Sequence, residues 1–227
     1  MPGPGVVRVG RASPQGVGLL RARVAGACRG RDLALVYGGV VVALAVAVAL
    51  MPERQANRFV LDSSTNLVNL RRHPPFVLVV SAFVEPSLWQ LWIIPLMVWA
   101  YGALQRWLGR AAVAVAAILG HVGATLFVST ILTAGIAHGR IGLSQAHAAD
   151  VGVSYGLVAA AGLLAARVPP RRARLYVAGL STLLAVALLV NRTFTDLGHA
   201  AAWVIGLGLA LLVRRAQAYA AIVSERG

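Results

Sequence analysis

Few ionisable side chains lie within the long apolar stretches of this 227-residue chain, and those few could carry out chemistry. They are His121, Asp150, Asp196 and His199, with Ser154 and Thr125 as uncharged polar companions. An ionisable group in apolar surroundings is costly and therefore marks a functional candidate. A serine that lies beside a histidine base can act as the nucleophile in acyl transfer. Ser154 and His199 are therefore the first candidates, and the question is whether the fold brings them together.

The composition indicates where these residues sit. Hydrophobic residues make up 59% of the chain and charged residues only 12%, whereas a soluble domain carries about a quarter charged residues. This composition excludes a cytosolic globular domain, a disulfide scaffold and a disordered chain. Cys28 is the single cysteine, so an internal disulfide is excluded. We therefore expect an all-α, polytopic membrane protein in contact with the lipid bilayer.

Six segments approach the roughly 20 apolar residues that a membrane-spanning helix needs. They cover residues 33–51, 87–104, 111–134, 150–166, 174–190 and 197–213. A six-helix membrane domain over residues 33–215 is therefore predicted. The apolar run 76–84 is too short to span and predicts an interfacial or re-entrant segment in the first loop. The alternative is that it extends the second helix into one long tilted span.

The charge pattern predicts the orientation. All 21 basic residues are arginine, against seven acids, and the net charge is +14. Fifteen of the arginines fall on one side of the six-helix arrangement, which the positive-inside rule assigns to the cytoplasm. Both termini are then expected in the cytoplasm. The protein itself is expected in the inner membrane of a bacterium. Residues 1–32 are expected to form a disordered Arg-rich arm and residues 216–227 a tail, so the charge requires no nucleic acid partner.

The predicted helices bring Ser154 and His199 to one level. Both lie near the outer ends of their helices, within about 3–6 Å at a rise of 1.5 Å per residue. Backbone N–H groups in the first turn of a helix are free and can stabilise an oxyanion. Asp150 and Asp196 stand at the starts of the two helices, where acidic residues commonly cap the first turn.

Small residues at four-residue spacing favour close packing of these two helices. In the membrane such stripes allow backbones to approach each other. One stripe is Gly198, Ala202, Gly206 and Ala210, and the other is Gly152, Gly156 and Ala160.

At these positions the sequence resembles the rhomboid family of intramembrane proteases. Gly152-Val-Ser154 matches the first three positions of the family's G-x-S-G motif, and His199 precedes small residues spaced by four, as in the family's sixth helix. The stretches 72–89 and 101–109 are similar to the family's first loop and second-helix exit. The resemblance implies a six-helix bundle and a serine protease that cleaves transmembrane substrates, without a metal or other cofactor.

The resemblance also assigns roles to individual residues. Ser154 is the implied nucleophile and His199 the implied general base, with the backbone at Gly152, Tyr155 and Gly156 supporting the oxyanion. The chain departs from the family's pattern at a few positions. Tyr155 stands where active members have glycine, Trp89 and Ile93 stand where the family has an oxyanion-stabilising His and Asn, and Gln105 replaces an acid.

These departures keep two further hypotheses open. The chain is alternatively a catalytically inactive relative that binds transmembrane helices as clients. The third hypothesis is a metal-dependent hydrolase or small transporter that uses His121, Asp150, Asp196 and His199 as ligands. No His pair at a helical ligand spacing and no nucleotide or cofactor motif supports the third.

Overall fold

The computed structural model describes residue 26 and residues 28–224, and it contains helices and 3₁₀ turns but no strand within that part of the chain. The prediction of an all-α membrane bundle is thereby confirmed. Most of the predicted arm 1–32 and the end of the predicted tail lie outside the described residues. The helices are α1 (Asp32–Ala49), α2 (Glu53–Asp62), α3 (Leu67–Arg72), α4 (Pro74–Val80), α5 (Ile93–Leu108), α6 (Arg110–Ala137), α7 (Ser154–Leu164), α8 (Pro170–Asn191) and α9 (Phe194–Ser224).

Four helices are each long and apolar enough to cross a membrane, namely α1, α6, α8 and α9. The pair Pro74–Phe83 and Leu88–Leu108 passes the same test together but bends by 68°, which would make a fifth crossing. Helix α7 has only 11 residues, or about 16 Å at 1.5 Å per residue, against a hydrocarbon core of about 30 Å. The described structure thus holds four or five candidate spans rather than six.

The first loop is more structured than a single interfacial segment. It folds into α2, α3 and α4, followed by a 3₁₀ turn at Ser81–Phe83. Asn66 caps α3 by accepting a hydrogen bond from the N–H of Asn69 at 2.9 Å, and Pro74 occupies the first position of α4, where a missing N–H costs nothing. The predicted alternatives were a separate interfacial segment and a straight extension of the second helix. The structure matches neither fully, because the segment continues toward α5 through a bend after Phe83.

Helix α7 begins at Ser154, four residues later than the sequence predicts. The reason is that residues 150–153 bond to the first loop instead of to a helical turn. The N–H of Thr65 donates to the carbonyl of Asp150 at 3.0 Å, and the N–H of Gly152 donates to the carbonyl of Ser81 at 2.9 Å. Gly152 also has φ +127°, a conformation that interrupts a helix and favours glycine.

Helix α9 continues to Ser224, well beyond the predicted end at residue 213. Arg214 and Arg215 suggested a membrane boundary, but the following residues are rich in alanine, which has the highest helix propensity. The Arg214 guanidinium donates to the carbonyl of Ala165 at 2.8 Å. The charged residues therefore mark the edge of the bundle and not the end of the helix.

Helix α7 lies at the centre of the bundle and packs against α5, α6 and α9. Helix α7 contacts α9 through main-chain atoms. A Cβ on Gly162 would lie 2.8 Å from the backbone of Gly206, and a Cβ on Gly206 would lie 2.2 Å from the carbonyl oxygen of Ala159. The two helices therefore approach as closely as their main chains permit.

The substitution Gly206→Ala is expected to lower the free energy of unfolding by about 1–3 kcal/mol, because overpacking forces the backbones apart. Gly208→Ala is the matched control, since a Cβ there meets nothing within 4 Å. The control should be neutral or slightly stabilising, because alanine favours helix over glycine by about 1 kcal/mol. Unfolding of both variants in detergent micelles measures the difference, and equal stabilities would contradict the packing of α7 on α9.

Candidate active site

The structure brings Ser154 and His199 together. Ser154 is the first residue of α7, and His199 lies in the second turn of α9. The Ser154 Oγ is 2.9 Å from the His199 Nε2. When the imidazole carries its proton on Nδ1, Nε2 accepts from the serine hydroxyl. Both side chains are half-buried, so the pair is sheltered but still approachable.

Ser154 and His199 lie near the starts of α7 and α9, but these starts are themselves deep in the bundle. A Cβ on Gly120 would lie 3.0 Å from the carbonyl oxygen of Tyr155. Gly120 belongs to the first half of the 28-residue helix α6. Because α7 is short, its start sits beside the middle of a full-length helix.

The first turn of α7 presents free backbone donors next to Ser154. The N–H of Val153 donates to the Glu85 carboxylate at 3.0 Å, and the N–H of Leu157 donates to the carbonyl of Val153. Between them, the N–H groups of Ser154, Tyr155 and Gly156 bond to no acceptor among the described residues. Unsatisfied N–H groups at a helix start are donors of the kind that stabilises an oxyanion.

Tyr155 supports the histidine. Its ring meets the His199 imidazole edge-on, with centroids 5.3 Å apart and an interplanar angle of 77°. Gly198 makes room for this contact, since a Cβ there would lie 2.3 Å from the tyrosine ring. The Tyr155 hydroxyl donates to the Asp150 carboxylate at 3.0 Å. The residue that departs from the family's glycine thus fixes one face of the imidazole.

Asp150 does not cap α7. Its N–H donates to the Ser64 hydroxyl at 2.7 Å, and its carboxylate accepts from Thr65 and Tyr155. Asp150 instead connects the first loop to the segment that precedes the serine.

Asp196 takes part in the cap of α9, although another residue begins it. Thr193 precedes the helix, and its hydroxyl accepts from the N–H of Asp196 at 3.1 Å. The same hydroxyl donates to the Asp196 carboxylate. The first of these bonds is the N-cap bond to the third helical residue, and the second holds the Thr193 hydroxyl in place at the first turn of α9.

His121 belongs to a second, buried serine–histidine pair. Its Nε2 lies 2.9 Å from the Ser81 hydroxyl, and both side chains are almost fully buried. Ser81 also holds the N–H of Gly152 through its carbonyl. His121 therefore supports the first loop. No group of three His, Cys, Asp or Glu residues in the described part of the chain could hold a metal ion.

The structure places three of the residues at which the chain departs from the resembled pattern, Trp89, Ile93 and Gln105, at or after the 3₁₀ turn that precedes α5. Trp89 lies in the 3₁₀ turn before α5 with 73% of its surface exposed, and Ile93 is apolar. Gln105 is buried and donates to the Asp32 carboxylate, which also pairs with Arg110 at 2.8 Å. The oxyanion donors that the described site offers are thus backbone groups of α7.

Sequence reasoning missed the contribution of the first loop. Ser64, Thr65, Ser81 and Glu85 hold residues 150–153 from 68 to 86 positions away. Serines and threonines in a loop carry no signal of such a distant partner. Glu85 was the one available clue, because an acid beside an apolar run needs a hydrogen-bond donor.

Comparison with known proteins yields one finding. A protein-family model described as rhomboid-like protein matches residues 29–219, which covers all the helices from α1 to most of α9. No curated protein and no solved structure matches the chain.

The hydrogen bond between Tyr155 and Asp150 should appear as energetic coupling. A double-mutant cycle of Tyr155→Phe and Asp150→Ala is expected to show a coupling of about 1 kcal/mol in the free energy of unfolding. Tyr176→Phe provides the matched control, because its hydroxyl bonds to the carbonyl of Ala161 in another part of the bundle. The control should add to Asp150→Ala within about 0.5 kcal/mol. If the two substitutions in each cycle changed the free energy of unfolding additively, the result would contradict the hydrogen bond between Tyr155 and Asp150.

Proposed function

The chain belongs to the rhomboid-like protein family, and on that premise we propose that this integral membrane protein is an intramembrane serine protease. The observation that carries the proposal is the 2.9 Å contact between the Ser154 Oγ and the His199 Nε2, placed at a helix start with free N–H groups. Its substrates would be transmembrane proteins, and the reaction needs no metal or other cofactor.

The chemistry follows the general course of serine hydrolysis. His199 Nε2 takes the proton as the Ser154 Oγ attacks the scissile carbonyl carbon. The oxyanion that forms is stabilised by N–H groups of the first α7 turn, where the helix dipole also favours negative charge. The protonated His199 then gives its proton to the leaving amine nitrogen as the C–N bond breaks. Water, deprotonated by His199, hydrolyses the acyl-enzyme.

We propose that a polar cavity near the pair supplies this water. It has a volume of about 290 Å³ and lies among the first loop, α6 and the start of α9. Thr65, Asp150 and Thr195 line it, and Asp150 bonds to the tyrosine beside Ser154. Because its walls carry hydroxyl, amide and carboxylate groups, the cavity supports proteolysis better than a closed apolar bundle would.

The orientation proposed from the arginines also suits this activity. Arg167 and Arg214 bond to carbonyls of Ala103 and Ala165 at one end of the bundle, and Arg110 lies at the start of α6. We propose that this end faces the cytoplasm of a bacterium and that both termini lie there. The polar cavity then opens toward the outer side.

One observation favours the second candidate function, binding of transmembrane clients without cleavage. Trp89 and Ile93 stand where the resemblance places the family's oxyanion-stabilising His and Asn. Loss of one such donor typically costs about 10²–10³ in rate. We therefore expect slow proteolysis, and complete loss of turnover would leave the client-binding function.

Reaction with a fluorophosphonate probe and cleavage of a transmembrane reporter test the proposal. Ser154→Ala should abolish both, and His199→Ala should reduce both by about 10³-fold or more, because the serine loses its base. Ser144→Ala and His138→Ala are matched controls, since both residues are exposed and lie away from the pair. These controls should behave like the unmodified protein.

Two outcomes would overturn or redirect the proposal. Undiminished cleavage by Ser154→Ala excludes this serine as the nucleophile. Absence of probe labelling and cleavage in the unmodified protein, together with cross-linking of a transmembrane peptide to it, favours client binding.

A further inference from the structure

An apolar space among the helices of the bundle lies apart from the serine–histidine pair. It is a cavity of about 400 Å³ bounded by α1, α4, α5, α6 and the start of α7. Its walls are apolar apart from two tyrosines and His121, and no charged residue lines it. This volume is within the range of sites that take a small molecule or a single chain.

The cavity exists because neighbouring helices do not meet there. Helix α1 packs mainly against α5, and α6 packs mainly against α5, α7 and α9. The short helix α4 covers only part of the gap between α1 and α6. At the rim, Val79 of α4 and Ile118 of α6 are 61% and 59% exposed. In a membrane protein, large exposed apolar side chains on spanning helices face hydrocarbon, so the cavity has a mouth toward lipid.

We propose that this cavity binds the acyl chain of a bilayer lipid, inserted sideways between α1 and α6. The uncharged apolar wall suits hydrocarbon and offers no partner to a phosphate or an amine. One turn of a transmembrane helix is about 5.4 Å long and about 10–12 Å across with its side chains, so it fills roughly 400–600 Å³, which is as much as the whole cavity. A single acyl chain restores the van der Waals contacts that an empty apolar space would forfeit.

The position of the cavity relates the lipid to the candidate site. Val153 and Gly156 form part of its wall, and they lie on either side of Ser154 in the chain. The bound chain therefore packs against the turn that presents the serine, on the side away from His199. The proposal concerns lipid binding alone and does not depend on whether the protein cleaves substrates.

Photo-cross-linking in liposomes tests it on the unmodified protein. The probe is a phosphatidylethanolamine with a diazirine at the end of one acyl chain, and labelled residues are identified by mass spectrometry. Tyr37, Phe83 and Ala117 line the cavity and are half-buried, so they present surface that an inserted acyl chain can contact. Labelling of these three residues is the expected result. Labelling restricted to exposed residues such as Leu189 on α8 would overturn the proposal.

A filled cavity provides the matched comparison. Ala114→Phe places a ring in the cavity and should lower labelling of Tyr37 and Ala117 by half or more. Ala185→Phe, at an exposed position on α8, should leave the labelling unchanged. A transmembrane peptide with the same diazirine that labels Tyr37 and displaces the lipid would show that the occupant is a peptide instead, and would also overturn the proposal.

Discussion

The contact between α7 and α9 is the constraint on which the site depends. Gly162 and Gly206 lie backbone to backbone, and Ala159 packs against the same turn of α9. Any side chain at Gly162 or Gly206 would separate the two helices. Because Ser154 is on one helix and His199 on the other, a shift of about 1 Å would break a hydrogen bond of 2.9 Å. The small residues are therefore as important to the chemistry as the polar ones.

The shortness of α7 creates a second requirement. A helix of 11 residues ends well inside the bundle, and the four residues before it have no helical partners for their backbone groups. Unpaired backbone groups in a membrane interior are costly. The first loop meets this need, since Ser64, Ser81 and Glu85 bond to residues 150–153. The loop is thus part of the core, and its folding is coupled to the position of the serine.

Local and periodic patterns predicted much of this architecture. Apolar run lengths indicated a helical membrane bundle, and the spacing of Gly198, Ala202 and Gly206 indicated the face of α9 that is buried. The late start of α7 was not predictable in the same way. It depends on hydrogen bonds between Thr65 and Asp150 and between Ser81 and Gly152, and such long-range partners leave no periodic trace. The count of six spans is not confirmed, since four or five candidate spans meet the length and hydropathy test and run length alone does not show where a helix is interrupted.

The role of Tyr155 also required the structure. In the sequence, Tyr155 is a bulky residue at the position that the resemblance matches to a glycine of the family's motif. In three dimensions its ring occupies the space above Gly198 and contacts His199. The substitution at position 155 and the glycine at 198 are thus complementary, and each explains the other. A departure from a motif is therefore weak evidence of inactivity until its neighbours are known.

Glu85 places the strongest limit on the chemistry of this site. Its carboxylate accepts the N–H of Val153, which is adjacent to the three free N–H groups of the first α7 turn. A negative group at a helix start is stabilised by the dipole, so the same interaction that holds Val153 in place also uses part of the positive potential there. An oxyanion that forms beside Ser154 must share that potential with Glu85. In the proposed protease, Glu85 therefore both positions the serine and reduces the power of the neighbouring N–H groups to stabilise the transition state.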